Sequence, residues 1–376
     1  MHVLHTFANN SSVPYLTWFA ERAAREGSPH YTFLIMYHEP PAMVEEMRAL
    51  GFACEWIRYD PKHRRIGMLN ALPQLWRHMR AYRPNIVHCN LFDDALPGIL
   101  AATAAGIPVR VVTRQDTGYH WMHARRWMFF DRQIARLATD LIAISSECHQ
   151  FVIEKEAAPE EKVHLVPNGI PPDRFTSQDA SSKEALRTRF NIQGRWPVIG
   201  TVARFIEWKG HRFILDAAAR LVERHPRALF LLCGEGDLRQ EMEELVRQKG
   251  LQDHVVFTGW VDREMMPSFY GILDIYLHAA VLEPFGLVYA EAMMNGVPVV
   301  STATGAALDG IDDGVNGFLV ERSGEALASG VERALASDLK TIGEAGRRTA
   351  MQKFHFDRMW EGTMQVYHQA MRRHGR

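Results

Sequence analysis

Short apolar runs alternate with segments of helical spacing along the whole chain, and they do so in two series. In the first, MHVLHTF, YTFLIMYH, NIVHCN and VRVVTR read as buried strands, with VPYLTWFAERAARE, PAMVEEMRALG and ALPGILAATAAG as helices among them. In the second, which begins after residue 190, PVIGTVAR, RALFLLCG, HVVFTG, DIYLHA and GVPVVST are the strands, again separated by helical stretches. Strand–helix alternation predicts a parallel, doubly wound sheet. Two series predict two sheets. The seam falls in VPNGIPPDRFTSQDASSKEA, residues 166–185, rich in Pro, Gly, Ser and Asp. A chain of 376 residues is long enough for two domains, each with a sizeable core. The expected fold class is α/β, with two Rossmann-like domains. Their ligands should lie beyond the carboxyl ends of the strands, in a cleft between facing sheets.

Composition then removes several function classes. The chain is 47% hydrophobic and 23% charged with a formal net charge of −1, which argues against a dedicated nucleic-acid binder and against a disordered tail. Cys54, Cys89, Cys148 and Cys233 are scattered, with neither metal spacing nor a disulfide framework, so a reduced cytoplasmic compartment is expected. The start, MHVLHTFANN, lacks a basic region and a long apolar run, and no signal peptide is expected. The longest apolar stretches stop short of the ~20 residues that a spanning helix needs. The expected location is the cytoplasm, with the inner face of the membrane open as a peripheral site.

The second half carries the chemistry. LEPFGLVYAEAMMNGVPVV, residues 282–300, holds Glu283 and Glu291 in a stretch that otherwise reads as core. Pro284 suits a first helical position, a helix over 285–295 follows, and Gly296 suits the stop. Eight residues rotate by ~800°, about 80° net, so the two acids could flank one elongated ligand. The free N–H groups of Phe285, Gly286 and Leu287 would face an anion at the helix mouth. On a plainer reading Glu283 is an acidic cap and Glu291 is solvated. Upstream, GTVARFIEWKGHRFILDAA places Arg204 just past a strand and Lys209-Gly210 five residues on, before a helix. Two cations at a strand's carboxyl end suit a diphosphate, Arg as a fork and Lys as a point charge; alone they would be ordinary loop charges. LLCGEGDL is a strand ending in a glycine turn at Gly234 and lacks the G-x-G-x-x-G spacing of a dinucleotide site.

Taken in order, KVHLVPNGIPPDRF, VARFIEWKG, LLCGEGDL, VVFTGWVDREMMPSFY, LEPFGLVYAEAMMNGVPVVSTATGA and DDGVNGFLV resemble the retaining glycosyltransferases of GT-B architecture in family 4, the glycosyl transferases group 1. The resemblance spans nearly the whole chain. It implies an acceptor-binding domain over 1–172, a donor-binding domain over 173–354, and a C-terminal helix, 355–376, that crosses back onto the first. It implies a nucleotide diphosphate sugar as donor, held mainly by the second domain. Arg204 and Lys209 match the positions that neutralise the diphosphate. Glu291 matches the second acid of the family's E-x7-E pattern, which holds the ribose hydroxyls, and Glu283 the first, near the donor sugar. Phe285, Gly286 and Leu287 would cradle sugar and phosphate, and Gly259 to Val261 matches the turn that meets the base. Transfer with retention is usually described as front-face attack, the departing phosphate oxygen taking the acceptor proton. No metal and no cofactor are expected, because cations and a helix mouth can stabilise the leaving diphosphate. The chain has no D-x-D and its eighteen histidines show no H-E-x-x-H spacing; Asp93-Asp94 and Asp312-Asp313 read as caps of helices or turns.

The first half departs from the family pattern. Asn10-Ser11 stands where the family's first loop carries paired glycines near the donor phosphates; Asn tolerates left-handed backbone, and a plain turn is the alternative. In VVTRQDTG, Gln115 replaces a histidine that touches the transferred sugar in many members; it can hydrogen-bond a hydroxyl but cannot titrate near neutrality. His278, where proline is usual, reads as structural. Rival readings are a non-catalytic nucleotide-sugar-binding subunit, favoured by Asn10-Ser11 and Gln115, and a phosphorylase or epimerase on the same fold. The implied acceptor is a glycan, a glycolipid or a small alcohol, with polysaccharide or glycolipid biosynthesis as the setting. Residues 58–83, with six arginines and Lys62 against Asp60, and 123–138, with Arg125 and Arg126 beside Trp127, Phe129 and Phe130, suit peripheral contact with anionic lipid; solvated helix faces over core aromatics are the alternative.

Overall fold

Each series of strands closes into one parallel sheet. The computed structural model describes residues 1–8, 14–176 and 179–375, and divides them between two units, Met1–Pro167 with Arg358–Arg376, and Asn168–Asp357. In the first unit β1 (His2–Phe7), β2 (His30–Tyr37), β3 (Ala53–Arg58), β4 (Ile86–Cys89), β5 (Val109–Arg114), β6 (Asp140–Ala143) and β7 (Val163–Leu165) stand in the order β3-β2-β1-β4-β5-β6-β7. In the second, β8 (Val198–Val202), β9 (Leu229–Cys233), β10 (Val255–Gly259), β11 (Ile275–His278), β12 (Val299–Thr302) and β13 (Phe318–Val320) stand in the order β10-β9-β8-β11-β12-β13. Both are doubly wound. The winding reverses between β1 and β4 and again between β8 and β11, and a ligand crevice forms beyond the strand ends at such a reversal.

Burial explains which strands the apolar pattern reveals. All five residues of β9, LFLLC, are buried, because helices cover both faces of a parallel sheet. Helix His211–Arg224 covers one face with Ile214, Leu215, Ala218 and Leu221, a stripe at helical spacing. Each such Leu or Ile adds about 1.5–3 kcal/mol by leaving water, so Leu221→Asp would break this layer. Strands β3, β6, β7 and β13 lie outside the expected runs. β3 and β13 are edges and β7 has only three residues, while β6 opens on Asp140, which is fully buried and held by His164 and Arg373. From Arg358 onward the helix Phe356–His374 belongs to the first unit, where Trp360 packs on Phe19 and the Tyr367 hydroxyl meets His88 Nδ1.

One expected element is corrected. The helix after Glu283 runs over Leu287–Met294, so Pro284 is not its first residue and the rotation argued from Glu283 does not apply. Gly286 precedes it at φ +77°, a left-handed conformation that a side chain would strain. The Phe285 carbonyl accepts the Ala306 amide at 2.7 Å, so it is committed to a neighbouring loop. Gly296, at φ +72°, does sit just past the end.

Candidate active site

The residues between β8 and the helix His211–Arg224 are drawn towards the end of β11. Gly210 adopts φ +70°, and a Cβ there would lie 2.0 Å from the Ala279 carbonyl oxygen, so only glycine permits this approach. Next to it, the Val281 amide donates to the Trp208 carbonyl at 2.7 Å. These two contacts carry Lys209 to Glu283, and its ammonium donates to Glu283 Oε2. Burial alone would raise the Glu283 pKa, but His278 and Lys209 overcome it and hold the carboxyl down at about 2. Glu283 is therefore an anion, and Lys209 is its cation.

His278 is fully buried at the end of β11, with Nε2 3.6 Å from Glu283 Oε2 and Nδ1 3.1 Å from the Tyr276 hydroxyl. The Glu283 separation is too long for a hydrogen bond and short enough for an electrostatic contact. Burial pushes its pKa down, so the imidazole is neutral. Glu291 is also buried and accepts from the Tyr270 hydroxyl at 2.8 Å. Burial raises its pKa, against the Tyr270 bond and the Arg263 charge. Between the acids runs a row of rings: Tyr270 lies 5.9 Å from Tyr276, which stacks at 5.9 Å on His278. Tyr270, Arg263 and the His278 contact were not legible beforehand, since a tyrosine at core spacing and a histidine at a strand end give no signal of their partners.

Around these acids the backbone offers donors. Among the described residues, the amides of Phe285 and Gly286 meet no acceptor, and Leu287 opens the helix. Gly234 ends β9 with its amide on the Gly259 carbonyl at 3.1 Å, and Val261 is buried beside Cys233 in the next turn. Arg204 is exposed two residues beyond β8 and makes no ion pair among the described residues. The structure thus joins Lys209, Glu283 and His278 in one cluster and ties Glu291 to Tyr270.

The first unit is organised differently. Gln115 follows β5 and donates its amide to the Tyr15 hydroxyl. Asp116 accepts from the amides of Gly118 and Tyr119, both at 2.9 Å, and so caps a turn. Both line a cavity of about 160 Å³ with Asn90, Thr113, Arg114 and His120. Arg114 is buried between Asp131, at 3.5 Å, and Glu156, at 2.6 Å, while His120 Nδ1 lies 2.8 Å from Asp131. Burial raises the Glu156 pKa to about 7 even against Arg114. Asn10 and Ser11 lie outside the described residues. Asp94 accepts from the amides of Asn90 and Leu91 and so caps helix Phe92–Ala104, whereas Asp313 accepts from the Leu319 amide of β13 and pairs with Arg333 at 2.9 Å.

A chain of relatives shares this arrangement of segments. Residues 182–349 match the model of glycosyl transferases group 1, and residues 12–169 that of the glycosyl transferase 4-like domain. EpsF of Bacillus subtilis (strain 168), a provisionally named glycosyltransferase, is 32% identical over 312 residues, 79% of this chain and 78% of its own. The chain belongs to the group 1 glycosyltransferases. Another relative, the 2-deoxystreptamine glucosyltransferase of Streptomyces kanamyceticus, is 31% identical over 229 residues, 60% of this chain and 59% of its own. Among solved structures, Anabaena HepE in complex with UDP has a TM-score of 0.83 at 20% identity, covering 98% of this chain and all of that one (100%). The fold of this group 1 glycosyltransferase is GT-B, and it moves a sugar.

Proposed function

We propose that this glycosyltransferase takes its sugar from a nucleoside diphosphate donor and transfers it with retention to an acceptor hydroxyl. The observation that carries the reading is the pair of half-buried Lys209 and buried Glu283 beside the amides of Phe285 and Gly286, which meet no acceptor among the described residues, at the reversal between β8 and β11. The UDP bound by Anabaena HepE supports it, as a ligand of that protein. In this reading Glu291 takes the ribose hydroxyls, Gly234 and the Gly259–Val261 turn border the base, and Arg204 and Lys209 face the diphosphate. The bond from the anomeric carbon to the phosphate oxygen breaks, the acceptor oxygen bonds on the same face, and its proton passes to the departing oxygen. Charge grows on that oxygen, and preorganised cations and amides are the groups that stabilise it. We propose that these replace a metal, and that Gln115 touches the sugar.

The acceptor class, a glycan, a glycolipid or a small alcohol, stays part of the proposal. A thermal-shift screen against nucleoside diphosphate sugars, followed by transfer assays with EDTA, tests it. A ligand at ~100 times its dissociation constant should add ~2.7 kcal/mol of stability. Turnover with net retention that survives EDTA is the expected result. Loss with EDTA and rescue by a divalent ion would reject the metal-free step. Binding without hydrolysis or transfer would favour a non-catalytic subunit, and dependence on inorganic phosphate a phosphorylase.

A further inference from the structure

Three helices of the first unit, Arg64–Tyr82, Phe92–Ala104 and Met128–Leu137, leave an open groove of about 670 Å³ among them. Met68, Leu69, Leu72, Leu100, Phe129 and Phe130 line it. Leu69 is 70% exposed and Phe129 61%. Large apolar side chains in water that adjoin one another mark an interaction surface more often than scattered ones do.

The exposed charges of these three helices have one sign. Arg65 lines it, its guanidinium 5.7 Å from the Trp127 ring, and exposed Arg125 and Arg126 lead into Trp127. Residues 61–92 contain Lys62, Arg64, Arg65, Arg77, Arg80 and Arg83 and no acid. The acids of the three helices are all engaged or covered: Asp93 by Arg64, Asp94 and Asp131 by burial. A second copy of the chain on this face would set arginines against arginines. A sheet of phosphates over an apolar interior matches both features at once.

We propose that this face docks on an anionic lipid bilayer, Leu69 and Phe129 entering the acyl boundary and the arginines meeting lipid phosphates. It stands apart from the donor chemistry, since none of these residues belongs to the second unit.

Vesicle flotation of the full chain tests it, with phosphatidylcholine alone or mixed with phosphatidylglycerol, at low and high salt. Co-flotation with the anionic vesicles at low salt, and little with neutral ones, is expected. Arg125→Gln with Arg126→Gln should lower partitioning roughly 25-fold, at about fivefold per exposed arginine near the surface. Leu69→Ser with Phe129→Ser should lower it too while leaving the salt dependence in place. The arginine pair is exposed, so those variants keep the test open should the apolar pair disturb folding. Failure of the wild-type chain to float with anionic vesicles at low salt overturns the proposal. So does equal flotation with neutral vesicles, or unchanged partitioning in both variant pairs. A dimer in light scattering that Leu69→Ser with Phe129→Ser dissociates would assign the face to a second copy instead.

Discussion

The strand ends of the two units handle charge in opposite ways. At the end of β5, Arg114 is closed in by Asp131 and Glu156, and His120 by Asp131, so the charges of this cluster are paired within the unit, although Arg114 Nε meets no acceptor among the described residues; Gln115 lines the same cavity. At the ends of β8 and β11, Lys209 and Glu283 pair, yet Arg204 is exposed and the Phe285 and Gly286 amides stay unengaged. Buried charges that already face their counter-charges hold a shape; an exposed cation beside unengaged amides is ready for an anionic ligand. The difference teaches where the anionic part of the substrate should be sought, in the second unit, and why the first unit is better suited to hydroxyls.

The sharpest way to break that comparison is Glu283→Gln. With Lys209 left facing a neutral amide, turnover should fall on the order of 100- to 1,000-fold, as when one preorganised electrostatic group is removed. The same variant carries a pH signature. The folded-state pKa of Glu283, about 2, lies below its ordinary 4.5, so its contribution to stability is present above 4.5 and is lost as pH falls towards 2. That contribution is on the order of 3 kcal/mol. Acid titration of unfolding should therefore be flatter for Glu283→Gln than for the wild-type chain. Parallel curves would mean that the pair is not ionised as described.

Next in size, Glu291→Ala and Arg204→Ala should each weaken nucleoside diphosphate binding by ~1.5–3 kcal/mol, the worth of a charge-assisted contact, without unfolding the protein. Calorimetry with unchanged affinity for every nucleotide tried would remove both from the donor site. Gln115→Ala sharpens the contrast from the other side. Turnover should drop roughly tenfold while nucleotide affinity holds, since this residue lies outside the unit that carries Arg204, Lys209 and Glu291. Equal loss of both would make its bond to Tyr15 purely architectural.

How much of this was legible follows the same division. β1, β2, β4 and β5 announce themselves because strands covered on both faces are continuous apolar runs, whereas β3 alternates as an edge and β6 starts on a buried aspartate. Lys209 and Glu283 could be named because each sits at a fixed offset from a strand end, and a parallel sheet fixes what lies there. Their contact could not be read, since it depends on Gly210 resting against Ala279 across 69 residues of chain. Placing the helix start at Phe285 failed for a similar reason: local spacing permitted it, but the carbonyl of Phe285 is taken by Ala306. In the first unit Arg114 draws partners from positions 131 and 156, and no spacing rule connects them.

His278 gives the smallest effect and the finest test. Its place in the sequence suits a structural role, and it is fully buried, yet its Nε2 faces the Glu283 carboxylate while Tyr276 meets its other nitrogen. A neutral imidazole with its proton on Nε2 supplies a partial positive charge to Glu283, and its Nδ1 then faces the Tyr276 hydroxyl at 3.1 Å, which also reaches the Val202 carbonyl at 3.3 Å. His278→Phe keeps a ring beside Tyr276 and removes that proton. Because His278 helps to hold the Glu283 pKa down, its loss should raise that pKa and move the acid limb of the pH–rate profile to higher pH. At 3.6 Å the interaction is weaker than a hydrogen bond, so turnover at neutral pH should change by about fivefold or less, with nucleotide affinity unchanged. A purely structural histidine would lower the melting temperature and leave the acid limb where it was. A shifted limb with an intact melting temperature would make His278 a positioning residue for Glu283, acting from the end of β11 on a carboxylate that a proline at this position could not reach.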